Sequence, residues 1–211
     1  LGLAIEQAGA PGEVVESSRR QIRRMDGALR SFLALASAGS AQAERVDLGQ
    51  LAREVALEAL QDSGGRVRID VAVDRPADGG SECAVEGVPA ELKAALQALV
   101  VNAVEASPPG GSVHIRLDRV EGRARIAVED EGAGLPEAVR ARLFEPHVTT
   151  KPHGSGMGLF LAHRLVTGRF AGTLTLEPSP PAGTRATIVL AGTGTGTGAG
   201  AARAAADEAS R

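Results

Sequence analysis

"LKAALQALVVNAVEAS" (92–107) runs into "SVHIRLDRVEGRARIAVED" (112–130) and then "EGAGLP" (131–136), and the change of period along this stretch decides the fold. The first segment is apolar at threes and fours, interrupted by Lys93, Gln97, Asn102 and Glu105. That pattern predicts an amphipathic helix over Pro89 to Ala106, ended by "SPPGG", and not a membrane span. The second segment alternates, which predicts two strands joined as a hairpin across "VEG" at 120–122.

Outward from this centre, "DLGQLAREVALEAL" (47–60) reads as a helix with Asp47 as N-cap, and "RVRIDVAV" (66–73) as a strand. A helix near 156–168 and the strands "GTLTLEP" (172–178) and "GTRATIVLA" (183–191) complete the pattern. The order predicts an α+β domain, a two-layer α/β sandwich with helices on one face of a mixed, mostly antiparallel sheet.

The ends read differently. Residues 1–45 suggest helix, turn, helix, with Val15, Ile22, Met25, Leu29, Phe32, Leu33 and Ala36 in one stripe. A two-helix hairpin buries little alone, so pairing with a second copy into a four-helix bundle is expected, and the chain is expected to be a homodimer. Residues 192–211, rich in Gly, Thr and Ala, are expected to be a disordered low-complexity tail.

Composition narrows the function classes. The 211 residues are 43% hydrophobic with a formal charge of −3, which suits a soluble globular chain and argues against a dedicated nucleic-acid binder. The arginines of "SSRRQIRRMDGALR" (17–30) read as a solvated helix face. Cys83 is the single cysteine, which excludes a disulfide framework and a cysteine-built zinc site and fits a cytoplasmic location.

Three groups carry chemistry. Asn102 offers an amide oxygen of the kind Mg²⁺ accepts. Asp130 ends a strand beside Gly132 and Gly134, where a carboxylate can accept a hydrogen bond from a base's exocyclic amino group. In "TTKPHGSGMGL" (149–159), Lys151 precedes Gly154, Gly156 and Gly158, whose bare backbone admits a polyphosphate near the start of a helix. Neither a Walker A loop nor the dinucleotide fingerprint fits: no lysine follows a glycine, and the glycines alternate after a loop.

Together, "ALVVNAVEAS" (98–107), "DEGAGLP" (130–136), "LFEPHVTTKP" (143–152) and "GSGMGL" (154–159) resemble, in order and spacing, the N, G1, F and G2 boxes of sensor histidine kinases. Their ATPase superfamily, the GHKL group, includes DNA gyrase, mismatch-repair ATPases and a heat-shock chaperone. The resemblance implies a Bergerat-type ATP-binding domain over 46–191, preceded by part of a dimerisation hairpin. It implies ATP and Mg²⁺ as cofactors, with Asp130 on the adenine amino group and Asn102 on the metal. Gly132 and Gly134 would shape the adenine pocket. Lys151, Gly154, Gly156, Gly158 and Leu159 would border the triphosphate within a lid over roughly 135–158, anchored by Phe144. Thr184 would support Asp130 through its hydroxyl. The partner implied is a response-regulator receiver domain, with membrane attachment only through segments upstream.

This chain departs from that pattern in places. Ala98 stands where a second Asn is frequent, so metal or phosphate binding is expected to be weaker or to use another group such as Glu105; it also stands where hydrolysing relatives carry a Glu that activates water. Histidine replaces the usual aromatic at His147. Residues 1–113 contain no histidine, so the phosphoacceptor is expected upstream of Leu1, and His114, His147 and His163 are expected to be non-catalytic. The rival expectations are a catalytically silent dimeric module or scaffold, and a hydrolase or serine kinase of the same superfamily.

Overall fold

The computed structural model describes residues 42–74, 83–151 and 154–190. The expected hairpin, apart from residues 42–45, and the expected tail lie outside these. The described elements are β1 (Glu44–Asp47), α1 (Leu48–Asp62), β2 (Arg68–Val73), β3 (Ala84–Gly87), α2 (Pro89–Ala106), β4 (Ser112–Val120), β5 (Arg123–Asp130), α3 (Glu137–Arg140), α4 (Gly158–Arg169), β6 (Thr173–Pro178) and β7 (Thr184–Leu190).

Five strands form one sheet in the order β2-β4-β5-β7-β6, and β1 pairs with β3 in a separate ribbon. Only β2 and β4 run parallel within the larger sheet. A parallel pair needs a long crossover, and the chain supplies it through β3 and α2. The sheet is therefore mixed and mostly antiparallel, as its sequence pattern predicts. The ribbon and the four-residue α3 were not anticipated, because segments so short carry no readable period.

Alternation sorts the sheet into two faces. Register aligns Val71, Ile115, Val128, Ala186 and Leu176 in one row and Val73, Leu117, Ile126, Ile188 and Leu174 in the next. Both rows pack into one core with Leu51, Val55, Leu96, Leu99, Val100, Leu165 and Val166 of α1, α2 and α4. The opposite face carries Asp70, His114, Glu129, Arg185 and Glu177 in a single row. The β4–β5 turn is tight because Glu121 and Gly122 both adopt positive φ, 52° and 75°.

Two helix ends are capped by side chains. Asp47 Oδ1 accepts the N–H groups of Gly49 at 2.7 Å and Gln50 at 3.0 Å, capping α1. At the C-terminus of α2, the Arg66 guanidinium donates to the carbonyls of Val104 and Ser107, and the Ser107 hydroxyl to that of Ala103. This cap fixes the end of the helix nearest Asp130.

α2 and α4 pair antiparallel. Near one end, Arg169 Nη2 lies 3.0 Å from Glu91 Oε1, and Nε lies 3.2 and 3.3 Å from its two oxygens. Toward the other, a Cβ at Gly158 would stand 3.9 Å from Ala98 Cβ and Asn102 Nδ2. Eleven residues of rise, about 16 Å, separate Glu91 from Asn102.

Only 4% of the Glu91 side chain is exposed. Removing its partner would leave a buried carboxylate uncompensated, a change that costs about 3–5 kcal/mol in closed sites. Arg169 is partly open to solvent, so Arg169→Met is expected to fall near the low end, about 3 kcal/mol. Urea unfolding checks this, and the double variant Glu91→Leu/Arg169→Met is expected to regain most of the loss.

Candidate functional site

β5 delivers Asp130 to the edge of the helix layer, where it is 8% exposed. Oδ1 accepts the N–H of Gly132 at 2.8 Å and that of Thr184 at 3.2 Å. Among the described residues, no hydrogen bond engages Oδ2. Thr184 thus supports Asp130 as expected but through its backbone amide, a correction to the expected hydroxyl. The amide serves because β7 begins antiparallel to the end of β5, which turns the Thr184 N–H toward the carboxylate.

The glycines here have separable reasons. A Cβ on Gly132 would stand 2.7 Å from the Ala106 carbonyl and 2.8 Å from Asp130 Oδ1, so the loop fits against the capped end of α2 only without a side chain. Gly134 turns with φ +78°, a left-handed conformation. Gly183 was missed: a Cβ there would overlap the Asp130 carbonyl at 1.8 Å. Its signal was the "GT" before the last strand, of which only the Thr was singled out.

Of the residues between Leu135 and Gly158, Phe144 and Lys151 meet α4 and α2 by named contacts. The Phe144 ring stacks on His163 of α4, with centroids 4.3 Å apart and planes inclined by 18°. Sequence reasoning gave His163 no specific partner; one turn of α4 places it under the lid. Lys151 reaches into the cleft, its Nζ 3.2 Å from Asn102 Oδ1 and 2.6 Å from Glu105 Oε2. Asn102 and Glu105 stand three residues apart on one face of α2.

Gly154, Gly156 and Gly158 differ in the same way. Around Gly154 the chain is tight, with a hypothetical Cβ 2.4 Å from Thr149 Oγ1. Gly156 has φ +67° and lies against the His147 backbone, itself at φ 64°. Gly158 opens α4 with ordinary φ, and a Cβ there would make only ordinary van der Waals contact with Ala98 and Asn102, at 3.9 Å each. No side chain caps this first turn. Its free N–H groups and positive dipole end lie beside Asn102. Leu159, expected to border a ligand, packs against the core as a half-buried residue.

The structure thus gathers Asn102, Glu105, Lys151 and Gly158 on one side of the cleft. Asp130, Gly132, Gly134 and Thr184 stand together at the end of β5. The two groups share a field, since the Lys151 charge is felt at Asp130. A cavity of about 260 Å³ opens elsewhere, lined by Gly87, Glu91, Arg169 and Phe170 at the far end of the helix pair. It belongs to the Glu91 ion pair and holds none of these groups. Among the described residues, no cluster of three acidic, cysteine or histidine side chains could hold a metal by itself, so any ion must draw on amide, water or ligand oxygens.

Comparison with known proteins decides what this arrangement belongs to. The pattern of the "Histidine kinase-, DNA gyrase B-, and HSP90-like ATPase" family matches residues 87–194, just over half of the chain. The chain belongs to this family. It carries the ATP-binding domain of the histidine kinase type. Sporulation kinase A of Bacillus subtilis is 36% identical over 100 residues, covering 47% of this chain and 16% of that protein. The sensor-type histidine kinase PrrB of Mycobacterium tuberculosis is 37% identical over 115 residues, 52% of this chain and 25% of that protein. The solved mycobacterial sensor histidine kinase MprB superposes with TM-score 0.62 at 28% identity, covering 71% of this chain and 97% of that one. The chain spans well under half the length of the curated relatives it matches. No described helix is long and apolar enough to cross a membrane.

Burial pushes the Asp130 carboxyl above its ordinary value of 3.8, against the lowering effect of the Gly132 and Thr184 amides and of Lys151. The folded chain therefore holds this proton more tightly than the unfolded chain does. Its contribution to stability is present below 3.8 and is lost as pH rises through the folded value. Asp130→Asn is accordingly expected to melt above the parent at pH 7 without nucleotide, with a smaller difference near pH 3. Thermal unfolding at both pH values checks it; equal melting at pH 7 would show that the ionised carboxylate carries no penalty.

Proposed function

We propose that this chain is the ATP-binding catalytic core of a two-component sensor histidine kinase, which transfers the γ-phosphoryl group of Mg·ATP to a histidine and onward to a response-regulator receiver domain. The observation that carries this reading is the buried Asp130, one oxygen fixed by two backbone amides and the other left to meet a ligand. A carboxylate so held can accept the hydrogen bond of an adenine amino group, and its desolvation is offset when that bond forms. Gly132 and Gly134 keep the loop close to this point.

The phosphate side of the proposal rests on the other group. Asn102 Oδ1 already faces a cation, the Lys151 ammonium, so its donor chemistry and position suit a hard ion held jointly with phosphate oxygens. Magnesium would neutralise charge on the phosphates during transfer. Lys151, the amides flanking Gly154, Gly156 and Gly158, and the open first turn of α4 up to Leu159 would receive the phosphate tail. Phosphoryl transfer depends mainly on such positioning and charge neutralisation. Ala98, half-buried beside Gly158, offers no general base for water, which favours transfer over hydrolysis.

Dimerisation would fall to residues 1–45, the nucleotide domain to 46–191, and residues 192–211 would stand apart as a tail, with the work done in the cytoplasm. None of the three described histidines suits the role of acceptor. His114 lies on the sheet face 3.6 Å from Asp70, His163 lies under Phe144, and His147 sits within the lid.

Two outcomes test the proposal. Calorimetry is expected to show Mg·ADP or Mg·ATP binding that Asp130→Asn weakens by about 1–3 kcal/mol. Asp118→Asn, within the remote Asp118–Arg125 pair, leaves that binding intact. Equal affinity for parent and Asp130→Asn would sink the adenine assignment. Incubated with labelled ATP, residues 1–211 alone are expected to acquire no acid-labile phosphate; label lost on replacing His114, His147, His153 or His163 would move the acceptor into this chain.

A further inference from the structure

Lys151 is held by more than one partner. Its ammonium meets Asn102 Oδ1 at 3.2 Å and Glu105 Oε2 at 2.6 Å, and the Lys151 and Glu105 side chains are 34% and 23% exposed. Two oxygens from successive turns of one helix thus converge on a single positive centre. The uncapped start of α4 lies alongside, where a Cβ at Gly158 would already touch the Asn102 amide at 3.9 Å. An ammonium and a hard divalent ion seek the same oxygen donors.

We propose that the Lys151 ammonium is the resident cation of a site whose two protein ligands are Asn102 and Glu105, and that Glu105 ligates the divalent ion of the nucleotide once the ammonium withdraws. This rests on the nucleotide-binding reading above and adds to it a second protein ligand and an exchange of cations. Ala98, one turn before Asn102, presents only a methyl group. Glu105, the next residue on that face in the other direction, is the donor that remains.

Charge gives the exchange its logic. Beside incoming phosphates, the Glu105 carboxylate would repel them unless a cation stands between. Lys151 supplies one charge in the nucleotide-free chain, and a divalent ion supplies two, reversing the local balance from neutral to attractive. The displaced ammonium, on its lid segment, is then free to pair with phosphate oxygens. Nucleotide affinity should consequently depend steeply on the divalent ion, and that dependence should reside in Glu105.

The test is ADP binding by the whole chain, measured calorimetrically with excess Mg²⁺ and again with excess EDTA, for the parent, Glu105→Gln and Lys151→Met. Glu105→Gln is expected to lose about tenfold or more of the magnesium-dependent gain, while its affinity in EDTA equals or exceeds that of the parent. Lys151→Met is expected to bind Mn²⁺ alone more tightly than the parent, read by electron paramagnetic resonance. Unchanged melting temperatures establish that both variants fold. A Glu105→Gln chain that keeps the full magnesium gain, or that weakens equally with and without it, overturns the ligand assignment. Unchanged Mn²⁺ affinity in Lys151→Met overturns the resident cation. A parent that binds no ADP removes the nucleotide reading itself, a failure distinct from the other two.

Discussion

A carboxylate buried at the end of a strand has to be held in place, and the surroundings of Asp130 are arranged around that requirement. Two amides converge on one oxygen, and each needs a particular backbone path. The Gly132 N–H arrives because the loop after β5 can press against the end of α2. The Thr184 N–H arrives because β7 starts beside β5, after a glycine with no side chain to collide with the Asp130 carbonyl. The Arg66 and Ser107 caps then matter at a distance, since they hold the end of α2 against which that loop fits. Burial raises the carboxyl against these donors, so the ionised strand end costs the folded chain stability.

The antiparallel pairing of α2 and α4 supplies the second half of the site. At one end the helices are tied by a buried ion pair; toward the other they approach through small residues, Ala98 and Gly158. The tie is structural, and the small-residue end is where Asn102, Glu105 and the open turn of α4 come together. One helix pair thus carries a buried ion pair near one end and a group of polar side chains toward the other. The chain between α3 and α4 touches both helices, through Phe144 on His163 and Lys151 on the α2 oxygens.

Much of this was legible in the residues. α2 could be placed from Pro89 to Ala106 because proline, an apolar stripe and a Pro-Gly stop all agree, and the β4–β5 hairpin because alternation is interrupted only at Glu121 and Gly122. Local rules agreed at those places, and agreement across levels is what makes a segment readable. β1 and β3, four residues each, exist only because they pair with one another across 40 residues, a relation no local pattern records. The site was legible as a set of residues but less so as a set of contacts. Asp130, Asn102 and Lys151 stood out, whereas the stack of His163 under Phe144, the collision that excludes a side chain at Gly183 and the amide route from Thr184 are visible only once distant strands and helices meet.

The row of Asp70, His114, Glu129, Arg185 and Glu177 on the outer face of the sheet also bears on what can pack there. Neighbours in the row pair across strands, Asp70 with His114 and Glu129 with Arg185, while solvent still reaches them. Covering that face with a further helix or a second sheet would strip water from these five ionisable groups and from Arg116, Asp118 and Arg125 on the same side, for little gain in apolar contact. Among the described residues the sandwich has two layers, and the side of the sheet facing away from the helices is a wetted wall.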